Sequence, residues 1–297
     1  MSGEQVPCGY ASEGQGATPL AAAIDGGAMR EQGIEATLTK QGSAHAVVDG
    51  LLSGRITFGN LAAPALVDAV GRGEQLVFLA GGVNQQFLVA RPGATLDDVR
   101  GQPLGASSGA DLGEFLCAIT MDRVLKAESE VRYLGGSRAR FDALLTGEIA
   151  ATPLSPPIAI EAKHAGCPWL FDYAELGLNF AIGGIAARRE TVRQEPDLVA
   201  RFLRGYLAGQ RHYKQDRDLG VSMHERYGET TRTIAEETYD LTHAGFRDVP
   251  NPATEGMQLL IDFWKAKGTL NASFALSDVV DSGPVLAVTG GPQANAC

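Results

Sequence analysis

The chain has 297 residues and a formal net charge of −10, with 25 Lys and Arg against 35 Asp and Glu. That length exceeds a usual single core and predicts about two compact lobes. The acidic balance argues against nucleic acid, whose binding rests on clustered Lys and Arg, but it admits a small anion held by one arginine or a helix N-terminus.

Glycine (37 residues) against 7% aromatics favours an α/β fold with many strand-to-helix turns over an aromatic β-sandwich. No apolar run approaches the roughly 18 residues of a spanning helix, so membrane insertion is not expected. Cys8, Cys117, Cys167 and Cys297 are scattered, with no C-x-x-C pair and no zinc-finger spacing, so no structural metal is expected; the count fits reduced thiols or a disulfide. No P-loop, H-E-x-x-H, Ser-His-Asp order or G-x-G-x-x-G in strand-to-helix context appears, and no cofactor is expected. Met1 to Gln5 leads at once into a strand, with no basic segment and no apolar one. The expectation is a cytoplasmic protein; the alternative is a periplasmic or cell-surface protein whose export signal has been removed.

In chain order, Gln5 to Ala11 reads as a strand, and a glycine-rich turn leads to an Ala-rich helix from Pro19 to Gln32, stopped by Gly33. Ile34 to Thr39 alternates like a half-buried strand. The loop Gln41 to His45 enters a helix from Ala46 to Leu52. A strand from Ile56 to Gly59, a helix through Val70 and a strand from Gln75 to Ala80 follow. Gln85 to Arg91 is extended and reads as a crossing between lobes. Beyond it come Leu104 to Ala106, a helix from Asp111 to Lys126, a strand from Val131 to Leu134, and a returning strand from Phe180 to Ala187. The remainder is helical and amphipathic, as in Leu198-Val199, Phe202-Leu203 and Tyr206, and should pack on lobe one; the tail after Pro284 is expected to be weakly ordered. Lobe one is thus expected at 1–88, lobe two at 89–178, and lobe one again at 179–297.

One segment occurs twice. Leu51-Leu52-Ser53-Gly54-Arg55-Ile56 is echoed at 144–149 by Leu144-Leu145-Thr146-Gly147-Glu148-Ile149. In each copy a Leu pair ends a helix, Ser/Thr-Gly stops it, and a short apolar strand leads to a loop at its carboxyl end, where open α/β sheets bind ligands.

The stretches Pro19 to Gly27, Glu31 to Glu35, Leu52-Ser53-Gly54 and Phe58-Gly59 together resemble the nitrate/sulfonate/taurine and thiamine-pyrimidine-precursor solute-binding proteins. Leu96 to Gly105 is similar to their second-lobe entry, and Leu259 to Gly268 with Asp278-Val279-Val280 to their closing helices. The likeness runs from about residue 6 to residue 282. It implies a type-II periplasmic-binding-protein fold, two Rossmann-like lobes joined by a two-strand hinge, with a small-molecule ligand in the cleft between them. The loop Gln41 to His45 also resembles the hydroxybiphenyl sulfinate desulfinase branch, an enzyme on this fold. Its nucleophilic cysteine would fall near Gly14, where this chain has none, and Cys8 reads as a buried strand residue. The cysteine-rich motif of the thiamine-pyrimidine synthases is absent.

Candidate residues follow from the strand ends. His45 can serve as acid, base or hydrogen-bond donor, or can be a surface residue at a helix start. Glu13 is a candidate base near it or a solvated carboxylate. Gly14 and Gln15 offer backbone and side-chain contacts. Ser107 and Ser108 precede a helix and suit a carboxylate, sulfonate or phosphate, with capping as the plainer role. Ser137 opens another helix, and Arg138 or Arg140 can clamp an anion or remain solvated. Asn60, Thr152 and Ser155 sit in the twin loops and would face one another, or serve as turn residues. His164, His212, His224 and His243 are expected to face solvent.

The sequence leads to a cytosolic enzyme that binds a small anionic or aromatic acid and cleaves or rearranges it, in lyase or hydrolase fashion, with His45 assisting. The alternative is the substrate-binding protein of an ABC importer for a sulfonate, aromatic acid or pyrimidine-like solute. A permease partner enters only if the protein is exported.

Overall fold

The computed structural model describes residues 3–82, 85–109, 111–176, 184–246, 248 and 254–290. β1 (Glu4–Tyr10) leads through a tight turn to α1 (Thr18–Asp25). The single helix expected from Pro19 to Gln32 is two, because Gly27 sits at φ +87° and its left-handed backbone breaks the run before α2 (Ala28–Glu31). β2 (Ile34–Lys40), α3 (Ala44–Leu52), β3 (Phe58–Leu61), α4 (Ala63–Gly71) and β4 (Leu76–Ala80) follow.

The middle of the chain gives β5 (Phe87–Ala90), α5 (Leu96–Val99), β6 (Leu104–Ala106) and α6 (Leu112–Ile119). β7 (Val131–Tyr133), α7 (Ser137–Thr146), β8 (Ala151–Leu154), α8 (Ile158–His164) and β9 (Trp169–Asp172) complete it. The helix expected from Asp111 to Lys126 is regular only as far as Ile119. It widens into a π-type stretch at Thr120–Leu125 and stops at Lys126, which is left-handed at φ +53°. β10 (Gly184–Arg188), α9 (Arg189–Gln194), α10 (Pro196–Gln215), α11 (Arg217–Tyr227), α12 (Arg232–Thr242), α13 (Thr254–Ala266) and α14 (Gly283–Thr289) end the chain. The expectation of a weakly ordered tail after Pro284 is corrected as far as Gly290 by α14, whose Val285 is buried in the core, while 291–297 lie outside the described residues.

The chain forms two compact units, Met1–Asn84 with Asn179–Cys297, and Gln85–Leu178. In the first, the strand order is β2-β1-β3-β10-β4. β1 runs parallel to β2 and β3, and β10 runs antiparallel to β3 and β4. Alternate strand residues line one face, with Val6, Cys8, Phe58, Val77, Leu79, Ile185 and Ala187 packed against Leu20 of α1 and Phe202, Leu203 and Tyr206 of α10. Phe58 stacks on Phe202 with ring centroids 3.8 Å apart. The amphipathic spacing read from Leu198 to Tyr206 is therefore the buried face of α10. Each such side chain contributes about 1.5–3 kcal/mol by leaving water. A second cluster gathers Tyr213, Val221, Tyr239 and Phe246 around Ala21 and Ala22 of α1.

The second unit repeats the plan, with order β7-β6-β8-β5-β9. β6 is parallel to β7 and β8, and β5 is antiparallel to β8 and β9. Phe87 and Leu88, given to lobe one by the sequence, pair with β8 and β9 inside this sheet, so the segment is a built-in strand. The echoed sequence is an echoed packing. α3 and α7 each run into a glycine at φ +74°, Gly54 and Gly147. The isoleucine that follows then covers a glycine of the neighbouring strand. A Cβ on Gly9 would lie 2.7 Å from Ile56 Cδ1, and one on Gly105 would lie 2.5 Å from Ile149 Cδ1.

Candidate functional site

In the first unit the strand registers bring Lys40, Tyr10, Asn60, Ile185 and Ala80 into one row across the sheet, at the carboxyl ends of its parallel strands. Asn60, expected in a loop, is a β3 residue, because β3 pairs with β1 as far as Tyr10↔Asn60 and with β10 on its other side. It is buried, and its Nδ2 donates to Gly16 O at 3.2 Å, fixing the turn before α1. Gly14 lies half-buried in that turn; the side chain of Gln15 lies outside the described residues. Glu13 is no unengaged base. Its carboxylate accepts from Lys40 Nζ, which also donates to Glu229 Oε1 at 2.6 Å, and these bonds raise the Lys40 pKa.

His45 is half-buried in the first turn of α3, one residue inside the start, where Ser43 Oγ caps the helix by accepting from Ala46 N at 3.1 Å. Cys8 is sealed within β1 and burial raises its thiol pKa, so it is held as the unreactive SH form. Cys117 is equally buried, its pKa pushed up to about 12, and Cys167 is buried and raised by the same cause. One histidine departs from expectation: His224 is fully buried, because α11 turns that face onto α10, where Nε2 meets the Tyr213 hydroxyl at 2.8 Å.

In the second unit the loops after β6 and β7 are joined, with Gly135 N donating to Ser107 O at 3.0 Å. Ser107 and Ser108 are half-buried at the strand end. The amides beside them are already taken, because Asp111 caps α6: its Oδ1 accepts from Glu114 N at 2.8 Å and its Oδ2 from Ser108 N at 3.1 Å. Capping and anion binding compete here, since the cap is itself a carboxylate. Ser155 is half-buried just past β8, where its carbonyl starts α8 by accepting from Ala159 N. Thr152 is an interior β8 residue whose hydroxyl donates to Gly105 O at 2.8 Å.

The two arginines separate cleanly. Arg138 is half-exposed and bonded to Glu161 Oε2 at 2.6 Å. Arg140 is only 6% exposed. Its Nη1 donates to Thr152 Oγ1 at 3.0 Å and to Pro153 O at 2.6 Å, its Nη2 donates to Ser137 Oγ at 3.0 Å, and its Nε is buried without a partner. Burial lowers its pKa, and the charge of Asp111 opposes the shift. Helical spacing carried only a partial signal for this choice: three and four residues after Arg140 stand Ala143 and Leu144, both buried, whereas after Arg138 stand buried Phe141 and exposed Asp142. Among the described residues no group of three or more His, Cys, Asp or Glu gathers as metal ligands would, and no helix is long and apolar enough to cross a membrane.

Two five-stranded mixed sheets of this order, each with a reversed fourth strand, are the type-II periplasmic-binding-protein fold. Residues 15–218 match the NMT1/THI5-like family, and the chain belongs to it. No curated protein sequence matches significantly. Among solved structures, the ligand-binding component of an ABC-type import system from Staphylococcus aureus, with zinc bound, is similar with a TM-score of 0.81 and 14% identity, over 98% of this chain and 100% of that one. The alkanesulfonate-binding protein SsuA from Xanthomonas axonopodis pv. citri, bound to MOPS, gives 0.76 and 15%, over 95% and 99%. A mutant of DSZB in complex with biphenyl-2-sulfinic acid gives 0.73 and 15%, over 96% and 99%. At such identities the likeness is one of fold.

Proposed function

We propose that the chain is the solute-binding component of an importer, working outside the cytoplasmic membrane and holding a small organic solute without changing it. The observation that carries this reading is the chemistry of the strand ends. They gather hydroxyls and a buried guanidinium, groups that bind and orient, while Glu13 is engaged by Lys40 and the thiols of Cys8, Cys117 and Cys167 are buried. Family membership and the importer components that share the fold support it. A second reading, an enzyme that cleaves or rearranges a small acid, draws its support from His45 in the first turn of α3 and from the fold shared with DSZB.

The test is to screen ethanesulfonate, benzoate and a pyrimidine by thermal shift, then incubate each binder with protein and recover it by mass spectrometry. A stabilising solute returned unchanged, with unaltered affinity in His45→Ala, is expected. Product that forms with the wild type and vanishes in His45→Ala would replace the importer reading with the enzymatic one.

A further inference from the structure

Arg140 carries a buried positive charge that the chain itself does not neutralise by contact: among the described residues no carboxylate pairs with it. A guanidinium has five N–H donors. Both on Nη1 are spent on Thr152 and Pro153, which fixes the plane of the group, and one on Nη2 goes to Ser137 Oγ. The Nε–H lies on the same side of the guanidinium as Nη2, the edge that grips two oxygens of one acid group. Nε is the buried donor without a partner. Ser137 belongs to the first turn of α7, a ten-residue helix that no side chain caps. The Ser137 hydroxyl and the positive end of α7 therefore adjoin the buried edge of the arginine that holds the unpartnered Nε.

We infer that the Nε/Nη2 edge of Arg140, with Ser137 Oγ and the first turn of α7, is the subsite for the acid group of the solute, and that it takes a monovalent oxyanion, a carboxylate or a sulfonate. The inference rests on the binding reading above and adds the chemical class and the residues that select it. The charge state follows from the surroundings. One guanidinium balances one negative charge, and the field of Asp111 already acts on it, so a phosphate dianion would bring a second charge with no partner. Arg138, bound to Glu161, is outside the subsite.

The experiment is calorimetric titration of the full chain with benzoate, benzenesulfonate, inorganic phosphate and, as an uncharged control, benzenesulfonamide. The 15Nε resonance of Arg140 is followed in parallel. Expected are binding of the two monoanions in preference to phosphate and the control, a shift of the Nε resonance at saturation, and a loss of about 10- to 100-fold in Arg140→Gln. Ser137→Ala should weaken binding by a smaller factor, and Arg138→Gln should not change it. Circular dichroism and thermal unfolding establish that each variant is folded; if Arg140→Gln is not, Ser137→Ala and the resonance decide. The inference falls if a folded Arg140→Gln binds as the wild type does, if the Nε resonance stays still while an anion saturates, or if the wild type binds none of the monoanions. Binding of an uncharged solute alone would overturn the anion subsite and leave the importer reading standing. Chemical conversion of a bound acid would do the reverse.

Discussion

His224 shows how much a single buried ring constrains this protein. Its Nε2 meets the Tyr213 hydroxyl, which also reaches Thr242 Oγ1 at 3.3 Å, while Nδ1 is buried with no partner. A neutral ring fits there and an imidazolium does not, so burial lowers its pKa to about 3 from 6.5. The unfolded chain therefore binds a proton below pH 6.5 that the native state refuses until about pH 3, and stability falls as pH falls through that window. Between pH 7 and pH 5 this one residue removes about 2 kcal/mol. Urea unfolding at the two pH values, wild type against His224→Leu, should show the acid-side loss shrinking by that amount in the variant. Parallel losses in the two proteins would refute the assignment.

At the scale of elements, the decisive contact in the first unit is the approach of α10 to α1. A Cβ on Gly209 would lie 2.3 Å from both Cα and Cβ of Ala23, so the helix axes themselves would have to separate. On the same face, a Cβ on Gly205 would meet the Met29 sulfur at 2.7 Å, at the pliable end of a long side chain. Gly209→Ala should therefore cost about 3 kcal/mol or more and Gly205→Ala about 1 kcal/mol, as overpacking strain. Thermal unfolding of the two variants checks the ranking, and equal losses would count against it. Neither close approach was legible in the sequence, where both residues are glycines within an amphipathic helix. What was legible is local chemistry: the Leu pairs and left-handed glycines that end α3 and α7 announced themselves twice. Strand limits were less legible. Asn60 is in a strand and not a loop because β10, 125 residues further on (Asn60↔Ile185), supplies its second neighbour. Arg140 and Arg138 were indistinguishable as residue types; the phase of α7 decides between them, and that phase is set by where Gly135, at φ +84°, turns the chain after β7.

The whole molecule poses a problem of chain order, because the first sheet must wait for a strand made after the second unit. β10 fits between β3 and β4, so closing the Asn60–Ile185 pairing spans 125 residues. We predict that the second unit shortens that loop by folding first. Its first strand enters beside its last strand leaves, with Phe87 paired to Asp172, so once β5 and β9 are joined the effective loop is about a third as long. That lowers the closure cost by about 1 kcal/mol, a factor of about five in rate if closure limits folding. A lesion confined to the second core, Leu116→Ala at a fully buried position, should thus delay protection of the β10 amides of Ile185, Ala186 and Ala187, although Leu116 belongs to the other unit. Pulse-labelled hydrogen exchange during refolding measures this directly, with the β1 and β2 amides as an internal clock. If Leu116→Ala slows protection of β6 and β8 but leaves β10 on its wild-type schedule, the first sheet closes without help from the second unit, and the proposed order of events is wrong.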